Sequence, residues 1–135
     1  MRQIKFRGKC LGTGKWVHGD LLQGLEDDKY IVISHDEGVT KYEVAPNTVG
    51  QFTGLRDMNE CEIYEGDVLR VYYGSENKIF GVVRFNKGRF FIDDEFTEDY
   101  SMIAKIPMTD LFVDYKFEVM NNIHDIKELL KGGEE

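Results

Sequence analysis

The chain has 135 residues, 41% hydrophobic and 13% aromatic, with a formal charge of -8 and a pI near 4.9. That length fits one domain with a packed core, and the composition excludes an intrinsically disordered chain. The acidic balance opposes non-specific attraction to phosphate backbones and anionic lipid, which argues against nucleic acid as a partner and against a membrane surface.

Alternation starts at once. In Gln3-Ile4-Lys5-Phe6-Arg7, Ile4 and Phe6 share one face and Lys5 and Arg7 the other, the pattern of a half-buried strand. Gly12-Thr13-Gly14 supplies a turn, and Trp16-Val17-His18 begins the return strand. Asp27-Asp28 turns the chain into Tyr30-Ile31-Val32-Ile33-Ser34. His35-Asp36-Glu37-Gly38 turns it again into Val39-Thr40-Lys41-Tyr42-Glu43-Val44, which Pro46 stops. Gly50-Gln51-Phe52-Thr53-Gly54 reads as a glycine-punctuated corner. Asp67 to Tyr73 is a strong strand, and Gly74-Ser75-Glu76-Asn77 turns the chain. Lys78 to Phe85 is the next strand, with Gly81 a candidate bulge. Asn86-Lys87-Gly88 closes a hairpin onto Arg89-Phe90-Phe91-Ile92, and Asp110 to Val113 and Lys116 to Val119 complete the strand set.

One segment reads as helix. Ile123, Ile126, Leu129 and Leu130 recur at helical spacing, Asn122 suits the N-cap, Asp125 the first turn and Gly132 the C′ position. The expected fold is therefore mainly β, with small barrel-like, SH3-like halves packed as one domain and a short C-terminal helix. The domain spans 1–131, with halves at 1–60 and 61–122, a helix at 123–131 and a frayed tail at 132–135. Gly19-Asp20-Leu21 and Gly66-Asp67-Val68 form a weak internal echo in which Gly-Asp launches a strand.

The N-terminus lacks the apolar run of a signal peptide, and Tyr30 to Ile33 is too short to span a bilayer. The expected location is the cytoplasm, where Cys10 and Cys61 stay as thiols. Neither cysteine has a ligand-spaced neighbour, so no metal or cofactor is expected.

Blocks spread along the chain carry a resemblance. Near the start they are Ile4-Lys5-Phe6-Arg7 and Lys15-Trp16-Val17-His18-Gly19-Asp20-Leu21. In the middle they are Val49-Gly50-Gln51-Phe52-Thr53-Gly54-Leu55-Arg56-Asp57 and Glu62-Ile63-Tyr64-Glu65-Gly66-Asp67-Val68. Phe117-Glu118-Val119, Asn122-Ile123 and Leu129-Leu130 match more loosely. Together these resemble the YopX family of phage and prophage proteins. The resemblance implies a small, mainly β fold with barrel-like halves, no established molecular function and no catalytic residues to carry over. Two positions depart from the family pattern. Asn59-Glu60 stands where Asn-Gly is usual, which suggests Asn59 in the left-handed conformation or another turn type. Asn121-Asn122 stands where Gly precedes Asn.

Candidate chemistry is sparse. Gly12-Thr13-Gly14-Lys15 is a broken phosphate-loop motif, with Lys9 and Trp16 at the positions that need Gly and Ser or Thr. It also lies between strands with no helix to face a phosphate, so it reads as a hairpin turn. Asp93-Asp94-Glu95 with Glu98-Asp99 lacks the spacing of a calcium loop and reads as a solvated acidic turn. His18, His35 and His124 lie apart, and His18 beside Asp20 is at most half of a catalytic arrangement. Trp16, Phe52, Tyr64 and Tyr72 read as packing residues. A recognition loop is one reading of the middle block, through Gln51, Thr53, Arg56 and Asp57, against a structural turn. The expected function is a phage or prophage accessory protein that acts as a non-enzymatic interaction module, binding an unknown protein partner or a second copy through strand edges. The alternative is a single-stranded nucleic-acid-binding β-barrel. It would use the 84–92 hairpin, with Arg84, Lys87 and Arg89 holding phosphates and Phe90 offering a ring to a base.

Overall fold

The computed structural model describes residues 4–73, 77–93 and 115–132. It is mainly β, with antiparallel strands in two sheets and a C-terminal helix. Its contacts divide the chain into two compact units, 1–54 and 55–135, where the sequence suggested halves meeting at 60/61. The expected strand at Asp110 to Val113, the turn at Gly74 to Glu76, the acidic run Asp94 to Asp99 and the end of the tail lie outside the described residues. Among the described residues, no helix is long and apolar enough to cross a membrane.

The first unit is a curled meander. Strands β1 (Phe6–Lys9), β2 (Trp16–Gln23), β3 (Lys29–His35) and β4 (Gly38–Val44) follow in space as in sequence, and β5 (Gly50–Arg56) begins on the other side of β1. The meander bends until the end of β4 meets the end of β1. Cys10 bridges Val44, the Leu11 amide donates to the Glu43 carbonyl at 3.0 Å, and the Ala45 amide donates to the Lys9 carbonyl at 2.9 Å. This return is barrel-like without forming a closed barrel. Two glycines make room for it. A Cβ at Gly8 would sit 2.8 Å from Val44 Cγ2, and one at Gly19 would overlap the Val32 carbonyl oxygen. Gly19 therefore lies in mid-strand and launches nothing, so the Gly-Asp echo fails. Gly66 does turn the chain, at φ 93, and Asp67 accepts the Tyr64 amide at 2.8 Å.

The corner expected at 50–54 is a correction. These residues are part of a seven-residue strand, β5. Gly50 and Gln51 pair with Arg7 and Phe6, and the Phe52 amide donates to the Lys5 carbonyl at 2.8 Å. Only Gly54 takes a positive φ, 88. The ladder to β1, invisible to a local reading, decides the conformation.

In the second unit, β6 (Glu62–Tyr64) precedes a four-stranded sheet of order β10-β7-β8-β9. These strands are β7 (Asp67–Tyr73), β8 (Asn77–Asn86), β9 (Arg89–Asp93) and β10 (Lys116–Asn122). Ile63, Leu69, Val71, Val83, Ile92 and Phe117 form its core, with Leu55, Phe90, Tyr115 and Val119 packed against it. Gly81 is not a bulge, because the β7–β8 register runs through it unbroken. It is glycine because a Cβ would overlap Ile92 Cγ2. The bulge lies instead in β10, between Val119 and Asn121. Lys87 and Gly88, both at positive φ (53 and 78), make the two-residue turn that joins β8 to β9.

The C-terminal helix runs Ile123–Gly132, so Gly132 falls inside its assigned end rather than beyond it. Asn122 caps it as expected. Its Oδ1 accepts the Asp125 amide at 2.9 Å, and its Nδ2 donates to Asp125 Oδ2 at 2.9 Å. Ile123 and Ile126 pack on Val68 and Val82.

Candidate interaction site

The segment after β5 is built around one carboxylate. The Glu60 amide donates to the Asp57 carbonyl at 3.0 Å, and the Asp57 amide donates to the Cys61 carbonyl at 2.8 Å. With Glu60 at φ 66, this is a type I turn followed by a left-handed residue. Asp57 is buried, and both of its oxygens are engaged. Oδ1 accepts the amides of Asn59 (2.8 Å) and Cys61 (2.9 Å), while Oδ2 accepts the amide of Val119 on β10 (2.9 Å). The Met58 amide also donates to the Phe117 carbonyl at 2.9 Å. Together these bonds cap the outer edge of β10, a row of backbone groups that would otherwise invite another strand.

The family departure at Asn59-Glu60 is resolved here. Glu60, not Asn59, takes the left-handed conformation, so it occupies the backbone state of the usual glycine at some steric cost.

Beside this turn lies an open cleft of about 380 Å³, lined by Arg56, Asp57, Met58, Tyr115, Lys116 and Phe117. Phe117 belongs to the core and forms an apolar floor. Met58 is 51% exposed and Lys116 is exposed. The exposed Arg56 lies 3.8 Å from Glu62. With the buried Asp57 carboxylate engaged by three backbone amides, the exposed part of the lining is cationic and apolar: Arg56, Lys116 and Met58. Sequence reasoning found Arg56 and Asp57 but missed Met58, Tyr115 and Lys116, which lie about 60 positions apart along the chain and meet only through the sheet.

The four residues of the suggested recognition loop have different environments. Thr53 and Asp57 are buried, Gln51 is half-buried on β5, and Arg56 is exposed. Asp57 holds the turn together, its carboxylate accepting three backbone amides.

The hairpin residues do not form one surface. Arg84 pairs across the sheet with Phe91, whereas Phe90 pairs with Phe85 on the opposite face, their ring centroids 4.9 Å apart. Lys87 lies in the turn, and Arg89 is exposed opposite Asn86. Phe90 packs against the core, so it is not the ring offered to solvent. Phe85, 45% exposed, is the more open of that pair.

The remaining polar candidates are dispersed. His35 Nε2 lies 2.8 Å from Thr40 Oγ1, His18 sits opposite Arg7, and His124 is on the helix. Cys10 and Cys61 are free thiols. The Thr13 hydroxyl holds the Cys10 thiol below its ordinary pKa, helped by the amides of Thr13 and Gly12 and opposed by desolvation. Among the described residues, no three His, Cys, Asp or Glu groups are placed to hold a metal ion.

The comparisons agree with this architecture. No curated protein matches the chain. A crystal structure of protein EF1440 from Enterococcus faecalis matches over 96% of this chain and 99% of its own, at 22% identity and a TM-score of 0.54, a likeness of fold. The family model described as YopX protein matches residues 5–131, nearly the whole chain, and the protein belongs to that family.

Proposed function

We propose that the protein is a non-enzymatic protein-interaction module, an accessory factor of phage or prophage origin, that receives a segment of a partner protein in the Met58 cleft. One observation carries this reading: a rigidly bonded turn presents a half-exposed methionine between two cations over an apolar floor. Methionine adapts to varied apolar surfaces, and Arg56 and Lys116 favour an acidic residue beside the partner's apolar anchor. The exposed Met58 side chain gains free energy when a partner covers it.

Affinity capture from a lysogenic or infected host, after nuclease treatment, tests the reading with three baits: the natural chain, Met58→Asp and a surface control. A protein retained by the natural chain and the control but lost with Met58→Asp supports it. Identical capture by all three baits defeats it. Light scattering across concentrations tells a second copy of the chain from a different protein as the occupant.

A further inference from the structure

The four-stranded sheet uses its faces unequally. One carries the core residues Leu69, Val71, Val83, Ile92 and Phe117. On the other, the C-terminal helix covers Val68 and Val82 through Ile123 and Ile126. Next to the helix on that second face, the register sets six side chains in two cross-strand rows. Lys116, Tyr72 and Lys78 form one row, and Glu118, Arg70 and Phe80 form the next. Lys78 and Lys116 are exposed, and Phe80 on β8 is 37% exposed, an open aromatic ring.

The centre of this patch is held in place. Tyr72 Oη donates to Glu118 Oε1 at 3.0 Å, and Arg70 Nη1 donates to Tyr72 Oη at 3.1 Å and lies 3.5 Å from Glu118 Oε1. The Arg70 guanidinium lies 5.4 Å from the centroid of Phe80. The Tyr72 hydroxyl also raises the Arg70 pKa further above its ordinary value, so the cation is permanent. Three cations and one carboxylate occupy the six positions of a chain whose formal charge is -8.

We propose that this patch binds single-stranded nucleic acid, with an unpaired base stacked on Phe80 and the flanking phosphates held by Lys78 and Lys116. An acidic peptide would satisfy the lysines but leave the ring idle. A base uses both, because any base can stack on an aromatic face while the cations follow the backbone. The site differs from the hairpin surface suggested by sequence; it shares Lys116 with the Met58 cleft, whereas Phe80 and Lys78 do not line that cleft. The acidic remainder of the chain keeps binding weak and steeply salt-dependent.

Anisotropy of a labelled oligothymidylate of about 15 nucleotides, titrated with the full chain at low salt, tests the proposal. Saturable binding is expected, with a log–log salt slope of about -1.4 to -2.1 for two or three phosphate contacts. Phe80→Ala and Lys78→Glu should each weaken it about fivefold or more, and Phe80→Tyr, which keeps a ring, should restore it. A duplex of the same length should bind about tenfold more weakly, because its bases are already stacked. Circular dichroism confirms that each variant is folded. The proposal is overturned by no anisotropy change at low salt, by folded variants that bind like the natural chain, or by polyglutamate competing as well as oligothymidylate.

Discussion

The two units reach stability by different routes. The second has a conventional interior, six apolar side chains at or below 1% exposure drawn from β6, β7, β8, β9 and β10. The first has fewer buried apolar side chains and relies on close backbone approach, with Gly8 against Val44 and Gly19 against the Val32 carbonyl. Several of its cations rest on rings. Arg7 lies 4.7 Å from the Trp16 ring, Lys9 6.0 Å from the same ring, Lys5 5.8 Å from Phe52 and Lys41 4.7 Å from Tyr30. Such contacts contribute roughly 0.5–1 kcal/mol each where solvent reaches them, less than one buried leucine-sized side chain. A tightly curled sheet has little interior volume, so clearance governs it. A sheet with a contiguous apolar core has volume to fill, so side-chain size governs it.

Mutations can break that contrast. The largest effect is expected from Phe117→Ala, which empties the centre of the second unit's core and should cost about 3–5 kcal/mol in denaturant unfolding. A loss below about 1 kcal/mol would mean that the core is not the principal support. Gly19→Ala is expected to cost about 1–3 kcal/mol although it adds a single methyl group, because the obstacle is a backbone carbonyl that no rotamer change can move. An unchanged unfolding midpoint would show that the first unit has slack its clearances deny. Glu60→Gly is expected to stabilise the protein by about 0.5–1 kcal/mol, since relief of a left-handed L-residue outweighs the entropy of an added glycine. Destabilisation there would place Glu60 in a role beyond the turn.

The site was partly legible before the fold was known. Asp57 stood out as a polar residue of the middle block, and its bonds to the nearby amides of Asn59 and Cys61 are local. Its third bond, to Val119, spans 62 positions and has no local signal. Phe90 and Phe91 are successive residues of one strand and lie on opposite faces, but alternation alone does not say which face is covered. The open rings are Phe85 and Phe80, and the decision rests with what packs on each side of the sheet.

Sequence alone located the hairpin at Asn86-Lys87-Gly88 and the Asn122 cap, because each depends on neighbours within a few positions along the chain, whereas the face assigned at the first strand was reversed, with Ile4 exposed and Arg7 buried. Tertiary structure alone decided that the glycine-rich stretch from Gly50 is a strand. It also decided that Gly19 and Gly81 mark close approach, and that residues from the Asp57 turn and β10 share a cleft. Those outcomes depend on which strands become partners, and pairing energy is shared between segments that carry no record of each other in their local composition.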